Sequence, residues 1–139
     1  MITDKAINVA ASVLVSANKV LLAKRRGGYL DNLWEFPGGK IEKDETAKEA
    51  TVRELKEELG IEVSALKTVL VLEHAYPDKK VRLHFVLCKI EANSEEIMKK
   101  LEANPETEWF AFDKLPMKEL CPADRAAATD IPWKLLGQN

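Results

Sequence analysis

Apolar and β-branched residues run almost unbroken over 8–16 and again over 19–23, with the turn-forming Ser16-Ala17-Asn18-Lys19 between them. That pattern predicts a β-hairpin. Arg25-Arg26-Gly27-Gly28-Tyr29 follows as a loop, and Trp34-Glu35-Phe36 as a short extended piece that stops at Pro37-Gly38-Gly39. The period then lengthens. Ala, Lys, Glu and Leu dominate over 46–59, Thr46 and Glu49 have capping-box spacing, and Val52, Leu55 and Leu59 fall on one face, so a helix with one buried stripe is predicted. Gly60 stands where a helix ends with a residue of positive φ. Strands are expected at 67–74 and 81–90 around the turn Tyr76-Pro77-Asp78-Lys79, the second with Val81, Leu83, Phe85 and Leu87 on its more buried face. Ser94 is expected to cap a short helix to Leu101, followed by a strand at 109–112 and helices at 123–129 and 133–136. Strands and helices mix without βαβ regularity, which predicts an α+β sandwich.

Composition narrows this. At 139 residues the chain is too short for two ordinary domains, so one domain over 1–139 is expected. Its 21 basic and 23 acidic residues nearly cancel, which argues against a protein that coats nucleic acid. The apolar stretches at 9–15 and 69–72 fall far short of the ~20 residues of a membrane helix. Met1-Ile2-Thr3-Asp4 opens without the basic and apolar regions of a secretory signal. Cys88 and Cys121 are far apart and lack CxxC spacing, as expected of reduced thiols. A soluble cytoplasmic protein, without membrane or direct nucleic-acid partners, is the expectation.

The chemistry concentrates between Gly39 and Ile61. On a helix Glu54, Glu57 and Glu58 stand at i, i+3 and i+4, so three like charges share one patch at a small cost in helix stability. A solvated Glu/Lys face is the ordinary explanation of such a run. A cation is the alternative, and hard carboxylate oxygens suit Mg²⁺ or Mn²⁺ better than zinc. The wider spacing decides between them. Gly39, five residues, Glu45, seven residues, then Arg53-Glu54-Leu55-Lys56-Glu57-Glu58-Leu59-Gly60-Ile61 satisfies every fixed position of the pattern G-x5-E-x7-R-E-U-x-E-E-x-G-U, where U is aliphatic.

The chain therefore resembles the Nudix hydrolases. Trp34-Glu35-Phe36-Pro37-Gly38-Gly39-Lys40-Ile41-Glu42 is similar to the approach segment of the MutT-like subgroup, which sanitises the nucleotide pool. The resemblance implies a Nudix-type α/β/α sandwich with a mixed β-sheet. It implies hydrolysis of a nucleoside triphosphate to a monophosphate and pyrophosphate, with Mg²⁺ as cofactor and Mn²⁺ as a substitute. Glu54, Glu57 and Glu58 would hold the metal, helped by the carbonyl of Gly39 or Gly38. One of these glutamates or a nearby carboxylate would activate water, and Arg53 would fix a glutamate in place. Glu45 is expected to support the loop and helix start. A further carboxylate is implied in the loop before the late strand, where Glu102 matches best and Glu106 and Glu108 are rivals.

The same resemblance places Arg26, Glu35 and Phe36 at the substrate, although a solvated Arg26 is the competing reading. MutT-like chains read the base from a Pro-Ala-Asn segment, for which this chain has Pro122-Ala123-Asp124. Ionised Asp only accepts hydrogen bonds, whereas Asn also donates. Asp124 thus suits an exocyclic amine such as the N4 group of cytosine, or the N1–H and N2–H edge of guanine, and suits the O6 and N7–H edge of an oxidised guanine if it is protonated; alternatively it N-caps the last helix. Two enzyme readings stand, an 8-oxo-dGTP diphosphatase and a CTP or modified-dCTP pyrophosphohydrolase, beside a non-catalytic ligand-sensing Nudix module. Either a monomer or a homodimer is compatible with the sequence. His74, His84, Cys88, Trp109 and Phe110 are expected to be structural, with Trp34 or Phe36 available to stack on a base.

Overall fold

The computed structural model describes residues 5–90 and 94–137, so the Met1-Ile2-Thr3-Asp4 opening lies outside the described residues. The expected hairpin is formed by β1 (Ile7–Ser16) and β2 (Lys19–Lys24). Ala17 and Asn18 turn it with φ of 51° and 60°, the left-handed pair that matches strand twist in a two-residue loop. β1 then organises the sheet. It runs parallel to β6 (Lys79–Ile90) from Ile7↔Val81 to Leu14↔Cys88, and antiparallel to β4 (Gly38–Lys40) from Val9↔Lys40 to Ala11↔Gly38. The strand order is β3-β2-β1-β6-β5, where β3 is Trp34–Glu35 and β5 is Val63–Tyr76; β4 adds to β1, and β7 (Thr107–Ala111) adds to β2. The sheet is therefore mixed.

Alternation sends successive side chains of the central strands to opposite faces, and both faces are covered. On one side Leu14, Leu21, Val86 and Cys88 pack with Leu55 of α1 (Ala47–Leu59), Ile61 and Leu101 of α2 (Glu95–Ala103). On the other, Val13, Leu22, Phe36 and Phe85 meet Ala123 and Ala127 of α3 (Pro122–Asp130), Ile131, and Leu136 of α4 (Trp133–Leu136). This is the expected α/β/α sandwich. It also explains why Phe85, Val86, Leu87 and Cys88 are all buried: β6 has a second covered face there, beyond the single one the alternation suggested.

α1 begins as predicted. Thr46 accepts from the Glu49 N–H at 3.1 Å, Glu49 returns the contact to the Thr46 N–H at 2.9 Å, and Gly60 ends the helix at φ 68°. Other elements depart from expectation. β4 was expected to be a break, because Gly-Gly carries no strand propensity; pairing with β1 makes it a strand. β5 is longer than 67–74 and carries two register shifts against β6. α2 extends beyond Leu101, and Ser94 makes no side-chain capping bond. Glu102 consequently lies in the last turn of a helix rather than in a loop.

Candidate active site

β4, the loop after it and α1 bring the fixed-spacing residues together around one guanidinium. Arg53 Nε donates to Glu45 Oε2 at 2.7 Å and Nη2 to Glu45 Oε1 at 2.9 Å, a two-pronged clamp. Nη2 also reaches the Lys40 carbonyl at 3.0 Å, while Nη1 serves Glu54 at 2.8 Å and Glu57 at 3.1 Å. Charge-assisted bonds of this kind fix geometry as well as energy. Glu45 also accepts from the Glu42 N–H at 2.9 Å, and its bonds to Arg53 hold its carboxyl down at about 2. Its expected role as loop support agrees with this placement. Gly39 is needed for space: a Cβ there would land on the Glu54 carboxyl, and one at Gly38 would strike the Ala10 carbonyl in β1.

Glu54 and Glu58 face each other closely enough to share a hydrogen bond. Burial, that bond, and the charges of Glu54, Glu35 and Glu57 together push the Glu58 carboxyl up to about 8. A cluster of acids that must retain a proton to coexist is a good donor set for a hard divalent cation. The glycine cradle beside Glu54 adds an accessible backbone, so the residues present fit Mg²⁺ or Mn²⁺. Glu57 is turned toward Arg53, and no three His, Cys, Asp or Glu side chains among the described residues already form a metal cage. Glu102 is exposed on α2, and it does not line the cleft beside the acids.

That cleft measures about 560 Å³ and runs between β1, the loop after β2, the β5–β6 turn and the start of α3. Glu58, Glu35 and Asp124 all line it, and Glu35 acts electrostatically on both of the others. Arg25 Nη1 donates to Glu35 at 3.2 Å, but burial outweighs Arg25 and Lys79 and leaves the Glu35 carboxyl raised. Asp124, 5% exposed, accepts the Phe36 N–H at 3.0 Å. Burial pushes its carboxyl up to about 7, opposed by the Phe36 N–H and reinforced by Glu35. Cys121, not Asp124, occupies the N-cap position of α3, so the capping alternative for Asp124 is set aside. Tyr76 Oη accepts the Ala123 N–H at 3.2 Å beside it.

Arg26 lines the cleft and is also tied down, through an ion pair with Glu106 and a 3.0 Å bond to Asn32. Phe36 is 3% exposed, edge-on to Phe85 and stacked at 6.3 Å on Trp133. Its ring is therefore a core element, and its N–H is what it directs at Asp124. Trp34 is packed against Phe110 at 5.1 Å. His84 pairs with Asn8 at 3.0 Å, His74 packs on Tyr76, and Cys88 and Cys121 are buried free thiols. Sequence reasoning missed Arg25, Tyr29, Asp78 and Lys79 in the cleft wall. Only the adjacency of Arg25 to Arg26 gave any signal for them.

Comparison with known proteins places the chain in a family. The NUDIX domain model matches residues 6–131, and the chain belongs to the Nudix family. An 8-oxo-dGTP diphosphatase of Buchnera aphidicola subsp. Acyrthosiphon pisum is 46% identical over 76 residues, covering 55% of this chain and 60% of that protein. A CTP pyrophosphohydrolase of Escherichia coli K12 is 41% identical over 81 residues, covering 58% and 60% respectively. The chain thus spans about three fifths of the length of these two relatives. The solution structure of MutT, a family Nudix hydrolase from methicillin-resistant Staphylococcus aureus 252, is 33% identical with a TM-score of 0.68, covering 92% of this chain and 96% of that one. Within that family the chain is MutT-like. No helix among the described residues is long and apolar enough to cross a membrane.

Proposed function

We propose that this protein is a Mg²⁺-dependent nucleoside triphosphate pyrophosphohydrolase, converting a nucleoside triphosphate and water to the monophosphate and pyrophosphate, with 8-oxo-dGTP as the leading substrate. The observation that carries this is the Glu54–Glu58 carboxyl pair, set beside the Gly39 backbone and braced by Arg53 at one end of a nucleotide-sized cleft. Glu54, Glu57, Glu58 and the Gly39 carbonyl are the residues that would hold the ion, which would neutralise diphosphate charge and supply an activated water. Arg53 keeps Glu54 and Glu57 oriented. A glutamate of the cluster accepts the proton of the attacking water. Arg25 and Arg26 place positive charge along the same wall for the polyphosphate.

A cytidine reading is the second one, and Asp124 favours it. Ionised, this side chain only accepts and complements the N4 amine of cytosine or the N1–H and N2–H edge of guanine; protonated, it also donates and complements the O6 and N7–H edge of an oxidised guanine. The test is pyrophosphate and monophosphate release with Mg²⁺ from 8-oxo-dGTP, dGTP, CTP, dCTP, 5-methyl-dCTP and ADP-ribose. Preference for 8-oxo-dGTP is expected, with Glu54→Gln reducing turnover about 100-fold or more. Preference for the cytidine nucleotides replaces the substrate and keeps the chemistry. Binding without turnover on any of them establishes the sensing module and ends the enzyme reading.

A further inference from the structure

The cleft contains three aromatic side chains, Tyr29, Phe36 and Tyr76, and two are already committed. Phe36 is enclosed by Phe85 and Trp133. Tyr76 is packed against His74 at 4.4 Å, and its hydroxyl is occupied by the Ala123 N–H. Tyr29 is 62% exposed and presents only an edge contact to Tyr76, with ring centroids 6.4 Å apart. Among the described residues, Tyr29 is thus the one aromatic ring of the cleft lining whose face is free to be covered by a ligand.

The loop that carries Tyr29 is braced. Gly27 and Gly28 adopt φ of 86° and 72°, which side-chain-bearing residues rarely do. Asp31 accepts the Gly27 N–H at 2.7 Å, and the loop ends are tied by Arg25 N–H to Leu33 O at 2.8 Å and Asn32 N–H to Arg25 O at 2.7 Å. Leu30 is buried beneath. From this support Tyr29 Oη reaches across to Asp78 Oδ1 on the β5–β6 turn at 3.4 Å, a long bond between opposite walls of the cleft. The ring stands at the Asp124 end, since Tyr76 joins it to the Ala123–Asp124 corner.

We infer that Tyr29 is the base-stacking residue of this site, a ring held across the cleft mouth by Asp78 and positioned to cover the face of a purine whose edge meets the Asp124 corner. The inference rests on the nucleotide reading above and deepens it. Val9, Val81 and Leu83 line the same cleft and give it apolar surface for a base. Stacking is insensitive to the base edge and grows with ring area, so Tyr29 supplies affinity while Asp124 supplies choice.

Titration of the Mg²⁺-loaded protein with dGMP, dCMP and pyrophosphate, followed by calorimetry, tests this without requiring turnover. Tyr29→Leu is expected to weaken dGMP about tenfold and dCMP by less, with pyrophosphate affinity unchanged. Tyr29→Phe, which retains the ring and loses the Asp78 bond, should restore dGMP binding to within about threefold of the wild type. Equal dGMP affinity in Tyr29→Leu and wild type overturns the inference, as does a loss shared equally by pyrophosphate or a wild type that binds no dGMP. Stacking confirmed in a protein that hydrolyses none of the triphosphates would instead overturn the enzymatic reading alone.

Discussion

Asp124 shows how one substitution within a motif changes what a site can do. Its carboxyl is buried and takes the Phe36 N–H, and its pKa rises from 3.8 to about 7. Because the folded value is raised, the native state binds the extra proton between about pH 4 and 7. Its stabilising contribution is complete below pH 4 and is lost as the pH rises through 7. Asp124→Asn keeps an acceptor for Phe36 and removes the titration. In urea unfolding at pH 5 and pH 8 the wild type should lose more stability than Asp124→Asn, by an amount on the order of 3 kcal/mol, since only the part of the shift between pH 5 and 7 lies in that window. Under the proposed function the same proton would tune base choice: if an oxidised guanine is read through its O6 and N7–H edge, wild-type preference for cytidine over 8-oxo-guanosine nucleotides should increase from pH 6 to pH 8, and Asp124→Asn should flatten that trend. Parallel pH profiles for the two proteins would show that Asp124 does not titrate in this range.

At the scale of elements, α1 has separate devices for stability and chemistry. Its first turn is closed by the reciprocal Thr46–Glu49 capping bonds, whereas its acids are held by Arg53, which is anchored on Glu45 and the Lys40 carbonyl. Thr46→Ala should therefore cost about 1 kcal/mol in denaturant unfolding while kcat stays within about twofold. A collapse of kcat in a folded Thr46→Ala protein would mean that the cap, not Arg53, aligns the acids. This helix was fully legible in the sequence, because its cap, stripe and C-terminal glycine are local signals within one segment. β4 was not: Gly38-Gly39-Lys40 is a strand only because Ala10 and Ala11 pair with it. α2 shows a third case. Its short amphipathic run was visible, but its extent was not, and that moved Glu102 from a loop onto a helix.

The same division holds for the whole molecule. The acid cluster lies within one contiguous stretch and could be read by spacing, whereas the cleft is assembled from contacts that only the sheet creates. Phe36 and Asp124 are 88 residues apart, and Tyr29 and Asp78 are 49 apart, so no window of sequence contains either pair. The sandwich buries both faces of the sheet and leaves Glu54 and Glu58 close enough that Glu58 keeps its proton, which a bound cation would displace. This couples metal to global stability, because a ligand that binds only the native state stabilises it by RT ln(1 + [L]/Kd). At ten times Kd, Mg²⁺ should add about 1.4 kcal/mol, raising Tm by about 5 °C for a domain of this size. Glu58→Gln keeps a neutral hydrogen-bonding group where Glu58 holds its proton in the absence of metal, so it should melt near the wild type in EDTA and respond little to Mg²⁺. A wild-type Tm unmoved by millimolar Mg²⁺, or a Glu58→Gln protein that gains as much as the wild type, would place the ion elsewhere.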